Sequence, residues 1–120
     1  MASAEPSVSD ATVAAQSWLA LVDQQKYAES WSDAAKAFQG ATTQDNWVHA
    51  ASGARGPLGN LVSRQLGSAE YHTSLPGAPD GKYVVIQFNT VFSNKAHAVE
   101  TVTPMQQDDG AWKVSGYFVK

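Results

Sequence analysis

The sequence contains no cysteine, and this absence excludes disulfides, thiolate metal ligands and cysteine nucleophiles together. Basic residues are also few: there are 8 Lys and Arg, and the net charge is −3. They form no basic stripe that could neutralise phosphates, so we expect no nucleic-acid partner. No apolar run approaches the ~18 residues of a membrane-spanning helix, so we expect no transmembrane segment.

The opening segment MASAEPSVSD has neither the basic region nor the hydrophobic region of a signal peptide. Its small and polar residues predict a flexible tail over residues 1–10. Residues 11–120 suffice for one domain and leave no room for a second. A composition that is 43% hydrophobic and includes four tryptophans indicates that this domain is globular.

The first half of the chain predicts three helical segments. Ser9 or Asp10 is expected to cap the first. The second spans about residues 26–38, and the third begins with Thr42 or Thr43 as its N-cap. Apolar residues recur at helical spacing in all three, namely Ala14, Trp18, Leu21 and Val22, then Tyr27, Trp31, Ala34 and Phe38, then Trp47, Ala51 and Ala54.

The second half predicts strands, of which GKYVVIQFNTVFSN (81–94) is the clearest because its residues alternate. One face of it carries Val84, Ile86, Phe88 and Phe92, and the other carries Tyr83, Val85, Gln87, Asn89 and Val91. Further strands are predicted over about 61–75, 97–105 and 111–119, with a bulge or bend at Gly67. Helices followed by a meander predict an α+β fold, with three N-terminal helices on a four-stranded antiparallel sheet.

Several segments of the sequence resemble a known bacterial family. They are WLALVDQQKYAESW, RGPLGNLVSRQL, SLPGAPDGKYVVIQFNTVFSNK, VETVTP and the Gly-Ala-Trp-Lys-Val-Ser-Gly-Tyr ending. Together they resemble the family known as domain of unknown function 4019 over roughly residues 11–120. The resemblance implies an exported protein, periplasmic or secreted, with no established activity. The layout is also similar to cystatin-like and NTF2-like folds, in which helices fill the concave side of a curved sheet.

Glu100 places a carboxylate within an otherwise apolar strand, where a buried charge is costly unless it is paired. In one interpretation it lies on the solvent face, or pairs with an arginine such as Arg55 or Arg64 to fix the register. In the other it lies in a cleft as a ligand anchor or general base. The sequence leaves both interpretations open.

Trp18, Trp31 and Trp47 are interpreted first as core aromatics between helices and sheet, and alternatively as the lining of a pocket for an apolar ligand. His72 shares a strand face with Glu70, either as an exposed pair or as an acid–base pair under a pocket. The histidines are isolated from other ligand residues, so we expect no metal site and no cofactor. The candidate ligand-binding residues are Trp31, Trp47, Arg55, Arg64, His72, Glu100 and Tyr117.

Two functional hypotheses follow. In the first, the domain is not an enzyme and binds a protein or a small apolar ligand, or self-assembles through its sheet. The candidate interface residues for this are Tyr83, Val85, Gln87 and Phe118. In the second, it is a small NTF2-like isomerase, lyase or hydrolase, in which Glu100, His72, Arg64 or Tyr117 transfers protons or stabilises charge in a cone-shaped pocket.

Overall fold

A computed structural model describes residues 6–120. The helices are α1 (Pro6–Asp23), α2 (Tyr27–Ser32), α3 (Lys36–Ala41) and α4 (Gln44–Arg55), followed by a 3-10 turn at Gly56–Leu58. The strands are β1 (Leu61–His72), β2 (Tyr83–Phe92), β3 (Lys95–Gln106) and β4 (Trp112–Val119). None of the helices in this part of the chain is both long enough and apolar enough to cross a membrane.

The first helix starts earlier than the sequence predicts. α1 begins at Pro6, a residue whose fixed φ and missing N–H suit the first helical position. Ser9 and Asp10 therefore lie inside the helix, and the predicted cap at either of them is wrong. Residues 6–10 are helical, whereas the part of the predicted tail over residues 1–5 lies outside the described residues.

The second predicted helix, over residues 26–38, is two short helices. The chain between α2 and α3 becomes extended at Ala35 (φ −63°, ψ 153°). There the Ala35 N–H donates to the carbonyl of Val114 in β4 at 2.8 Å instead of to a helical carbonyl. The prediction of a single helix is wrong because this partner comes from the distant end of the chain.

The third predicted helix is confirmed as α4. Of the two candidate caps it is Thr43 that serves, because its hydroxyl accepts a hydrogen bond from the Asn46 N–H at 3.1 Å. Such a bond satisfies one of the free donors of the first turn.

The four strands form one antiparallel sheet in the order β1-β2-β3-β4. The α+β prediction, with N-terminal helices on a four-stranded antiparallel meander, is confirmed, although the α-helices number four rather than three in the described residues. The register of β1 against β2 shifts between Leu66 and Ser68, so the bulge predicted at Gly67 is confirmed.

The core lies between the helices and one face of the sheet. Val84, Ile86 and Phe88 of β2 are buried there in a cluster with apolar residues of α1, α3 and α4. Trp18 and Trp47 are buried in the same cluster, and both of their indole N–H groups bond to Ser30, to its carbonyl and its hydroxyl respectively, each at 2.8 Å. Ser30 thus satisfies two aromatic donors that would otherwise be costly to bury.

The opposite side of the sheet, here called the open face, carries the alternate residues of each strand. On the two inner strands these are Tyr83, Val85, Gln87, Asn89 and Val91 of β2, and His97, Val99, Thr101, Thr103 and Met105 of β3. Tyr83 is buried at one end, where its hydroxyl donates to the carbonyl of Pro79. Gln87 and Asn89 are exposed at the centre.

Candidate functional site

A buried carboxylate lies at the middle of the sheet, on the side that the helices cover. Glu100 is 0% exposed. Its Oε1 accepts hydrogen bonds from Arg64 Nε and Thr90 Oγ1, both at 2.7 Å, and its Oε2 accepts one from the Tyr117 hydroxyl at 2.5 Å. Both oxygens of Glu100 are therefore occupied by groups of the protein itself.

The strand register brings these groups together. Arg64 of β1 lies directly opposite Thr90 of β2. Glu100 follows on β3, opposite Phe88 and therefore diagonal to Thr90. Val102 on the same face lies opposite Tyr117 of β4. Because side chains alternate across each strand, all four polar groups point to the helix-covered face.

Residues at the ends of two helices join the polar groups around Glu100. Asp23, the last residue of α1, accepts from Arg64 Nη1 at 2.8 Å and from Arg64 Nη2 at 2.9 Å. Arg55, the last residue of α4, donates from Nη2 to the same carboxylate at 2.9 Å. We call Asp23, Arg55, Arg64, Thr90, Glu100 and Tyr117 the ionic cluster. Its two arginines balance its two carboxylates.

Burial and hydrogen bonding shift the pKa values of two residues of this cluster, Arg64 and Tyr117. Burial alone would lower the pKa of Arg64, but its hydrogen bonds to Asp23 and Glu100 outweigh that effect and raise the pKa above its ordinary value. Burial raises the pKa of the Tyr117 hydroxyl, and the neighbouring Glu100 charge raises it further. Arg64 therefore stays charged and Tyr117 stays a neutral donor to Glu100 throughout the physiological range.

This geometry favours a positioning role for Glu100 over proton transfer. The interpretation that Glu100 lies on the solvent face is wrong, and pairing with an arginine is confirmed, with Arg64 as the partner. A general base must come within hydrogen-bond reach of a substrate proton, whereas no part of this carboxylate is exposed. Through Arg64 and Asp23 it ties the end of α1 to the sheet.

The remaining predicted ligand-binding residues, Trp31, Trp47 and His72, lie outside the ionic cluster. Trp47 is buried against Phe38 with ring centroids 4.9 Å apart, and half-buried Trp31 donates from Nε1 to the carbonyl of Thr42 at 2.8 Å. His72 lies at the far end of β1, 3.4 Å from the exposed Glu70 carboxylate. The structure thus brings together four of the predicted residues, Arg55, Arg64, Glu100 and Tyr117, and leaves His72 apart.

Sequence reasoning missed Asp23 and Thr90, although both left a signal. Asp23 places a negative charge at the C-terminal end of a helix, where the helix dipole disfavours it, so a cationic partner was to be expected. Thr90 is the one polar residue in the otherwise apolar series Val84, Ile86, Phe88 and Phe92. A hydroxyl on a buried face needs a hydrogen-bond partner, which here is Glu100.

The Tyr117→Phe variant is expected to be less stable than the wild type at pH 7 by about 1–2 kcal/mol, because Glu100 loses a donor. Above about pH 10 that difference should narrow. Since the folded protein raises the pKa of Tyr117, the unfolded wild type loses this proton first, and wild-type stability falls as the pH rises. Urea denaturation of both proteins at pH 7 and pH 10.5 measures the difference. A stability difference between the two proteins that grows as the pH rises would contradict the role of the Tyr117 hydroxyl as a neutral donor to Glu100.

Comparison with known proteins places the chain in a family. A family model described as "Protein of unknown function (DUF4019)" matches residues 14–117. No match is found among curated proteins. The matched range begins inside α1 and runs to Tyr117 of β4, so it includes every member of the ionic cluster. The chain therefore belongs to the DUF4019 family.

Proposed function

We propose that this domain works by association rather than catalysis, and that two copies pair through the open faces of their sheets. The observation that carries the proposal is an uncharged strip, formed by the ten open-face residues of β2 and β3 defined above. None of these ten is Asp, Glu, Lys or Arg. The centres of protein interfaces are depleted in charged residues in the same way.

An aromatic residue adjoins the strip. Phe118 of β4 pairs with Thr101 and is 53% exposed. Half-buried Val85, Val91 and Val99 add apolar surface on the inner strands. Exposed aromatic side chains flanked by apolar ones are typical anchors of an interface. The charged open-face groups Glu70 and Lys113 lie on the outer strands, where a polar rim is expected.

A second copy suits this surface because a twofold interface brings the same patch against itself. A charged patch would then repel its own copy, whereas the exposed amide side chains of Gln87 and Asn89 can both donate and accept. The charged residues that give the net charge of −3 therefore lie outside the uncharged strip, and they do not repel each other at the centre of the dimer contact.

The area of the open face sets the expected strength of the dimer. Four strands about 4.8 Å apart, with about eight residues each at 3.4 Å, cover roughly 500 Å² per copy, or about 1,000 Å² for the pair. That is the lower limit for a specific interface, so we expect a reversible dimer with a dissociation constant on the order of micromolar. We further propose that the dimer forms outside the cytoplasm, as the family resemblance implies for exported domains.

Gln87→Lys is expected to weaken this dimer at least tenfold, about 1.4 kcal/mol. Gln87 is exposed at the centre of the strip, so the change brings like charges together in the pair without disturbing the core. Sedimentation velocity over a concentration series measures the dissociation constant. The matched control is Gln16→Lys, the same substitution at an exposed position of α1, which should leave the constant unchanged.

Two outcomes would contradict the proposal. One is a wild-type protein that stays monomeric at the highest concentration that sedimentation can follow. The other is a dimer that Gln87→Lys and Gln16→Lys weaken equally, because that result would reflect net charge and not the open face.

A further inference from the structure

The two outer strands of the open face carry opposite charges. The side chain of Glu70 in β1 is 71% exposed, and its Oε1 lies 3.4 Å from Nε2 of His72, two residues further along the strand. Lys113 of β4 is half-buried and forms no ion pair in the described part of the chain. Exposed Lys120 exchanges backbone hydrogen bonds with Val99 and adds a second cation beyond the end of β4. The β1 side of the open face is therefore acidic, and its β4 side is basic.

The strand register places Glu70 and Lys113 at the same end of the open face. His72 lies opposite Tyr83 of β2, and Tyr83 lies opposite Met105 of β3. Met105 in turn lies opposite Lys113 of β4, so one row of paired residues runs from His72 to Lys113. The Glu70 carboxylate lies beside His72 and therefore at the level of this row. Three strand spacings, about 14 Å, separate it from Lys113, which is too far for the two side chains to pair within one copy.

A second row has a small residue at its β1 end and a large one at its β4 end. Ser68 of β1 lies opposite Gln87, and Gln87 lies opposite Thr101. Thr101 lies opposite Phe118 of β4, which is 53% exposed. Ser68 follows Gly67 at the β-bulge, and both are exposed. The open face is therefore low at the β1 end of this row, whereas an aromatic ring projects at the β4 end.

Twofold symmetry allows two ways of stacking the open faces with their strands aligned. A twofold axis that runs across the strands places each outer strand over the same strand of the partner, so the lysines on the β4 side face those of the partner and repel them. An axis parallel to the strands places β1 of each copy over β4 of the partner at the same level of the sheet. Only the second arrangement brings the acidic side of each face against the basic side of the other.

We propose that the dimer has this second arrangement, an inference that rests on the association through the open faces proposed above. Each β1 lies over β4 of the partner, and Glu70 pairs with the partner's Lys113 at two symmetric places on the rim. The partner's Phe118 packs on the small residues Gly67 and Ser68 of the bulge. Charge pairs on a rim fix the register and orientation of an interface more than they add to its affinity.

The test reverses each charge and measures the dimer dissociation constant by sedimentation velocity at low ionic strength and pH 7.5, where a histidine carries little charge. Glu70→Lys and Lys113→Glu each bring like charges together twice in the dimer. Since exposed ion pairs are individually weak, we expect each variant to raise the dissociation constant by about threefold or more. The variant with both substitutions has opposite charges in contact again and the net charge of the wild type, so its constant should return to within about twofold of the wild-type value. Glu29→Lys and Lys36→Glu make the same substitutions at exposed positions of the helices and control for net charge.

Net charge and pairing predict opposite results for Glu70→Lys. The substitution makes the net charge of −3 less negative, which by itself would strengthen the dimer, whereas loss of the pair with the partner's Lys113 weakens it. A Glu70→Lys dimer as strong as that of Glu29→Lys, or a double variant weaker than either single variant, would overturn the arrangement. If Gln87→Lys still weakens the dimer in that case, the association through the open faces stands and only the stacking is wrong. A wild-type protein that stays monomeric would overturn both.

Discussion

Replacing Arg64 with methionine is expected to lower the free energy of unfolding by about 3–5 kcal/mol, the usual cost of removing one partner from a buried ion pair. Arg64 donates to both carboxylates of the ionic cluster, the buried Glu100 and the partly exposed Asp23. Without it, Glu100 stays 0% exposed with only two neutral donors, Thr90 and Tyr117. Urea denaturation at pH 7 measures the loss, and an unchanged m-value would show that the unfolded state is not responsible.

Two further variants separate the buried charge from the packing. Glu100→Gln removes the buried negative charge and leaves Arg64 paired with Asp23, so we expect a smaller loss, about 1–3 kcal/mol. Combining Arg64→Met with Glu100→Gln removes both charges of the pair, and the loss should be less than the sum of the two single losses by more than about 1 kcal/mol. Additive losses, or an Arg64→Met variant as stable as the wild type, would show that the pair contributes little.

The sheet was predictable because its signals are local. The alternation of apolar and polar residues over 83–92 is contained within one strand, and each strand ends near a turn signal of its own. The two faces followed from that alternation, since Val84, Ile86 and Phe88 share one face as predicted. The structure then shows that this face is the buried one, whereas Gln87 and Asn89 on the other face are exposed. A period of two depends only on neighbouring residues, so no tertiary contact was needed to infer it.

The features that the sequence did not predict depend on distant partners. The break between α2 and α3 follows from a hydrogen bond between Ala35 and Val114, which no pattern within residues 26–38 can indicate. The ionic cluster joins residues of two helices and all four strands. An arginine partner for Glu100 was one of the interpretations that the sequence left open, but the choice of Arg64 and the part of Asp23 arise only when the strands are in register.

Trp18→Ala is expected to be as damaging as the loss of Arg64, at about 3–5 kcal/mol. Trp18 is 1% exposed, and its ring centroid lies 5.8 Å from that of Trp47 and 5.4 Å from that of Tyr117. The truncation leaves a cavity there and also removes the donor to the Ser30 carbonyl. For a domain of this size each kcal/mol corresponds to about 4 °C in Tm, so calorimetry should show a decrease of roughly 12–20 °C.

The matched control is Trp31→Ala, the same truncation at a half-buried residue. Its indole also donates to a backbone carbonyl, that of Thr42 at 2.8 Å, so both variants lose one hydrogen bond of the same kind. The difference between them therefore measures how much of the stability comes from aromatic packing under the helices. We expect Trp31→Ala to lose at least about 1 kcal/mol less than Trp18→Ala, because less apolar surface returns to water. Equal losses would mean that the two hydrogen bonds, and not the packing of Trp18 against Trp47 and Tyr117, hold the helices on the sheet.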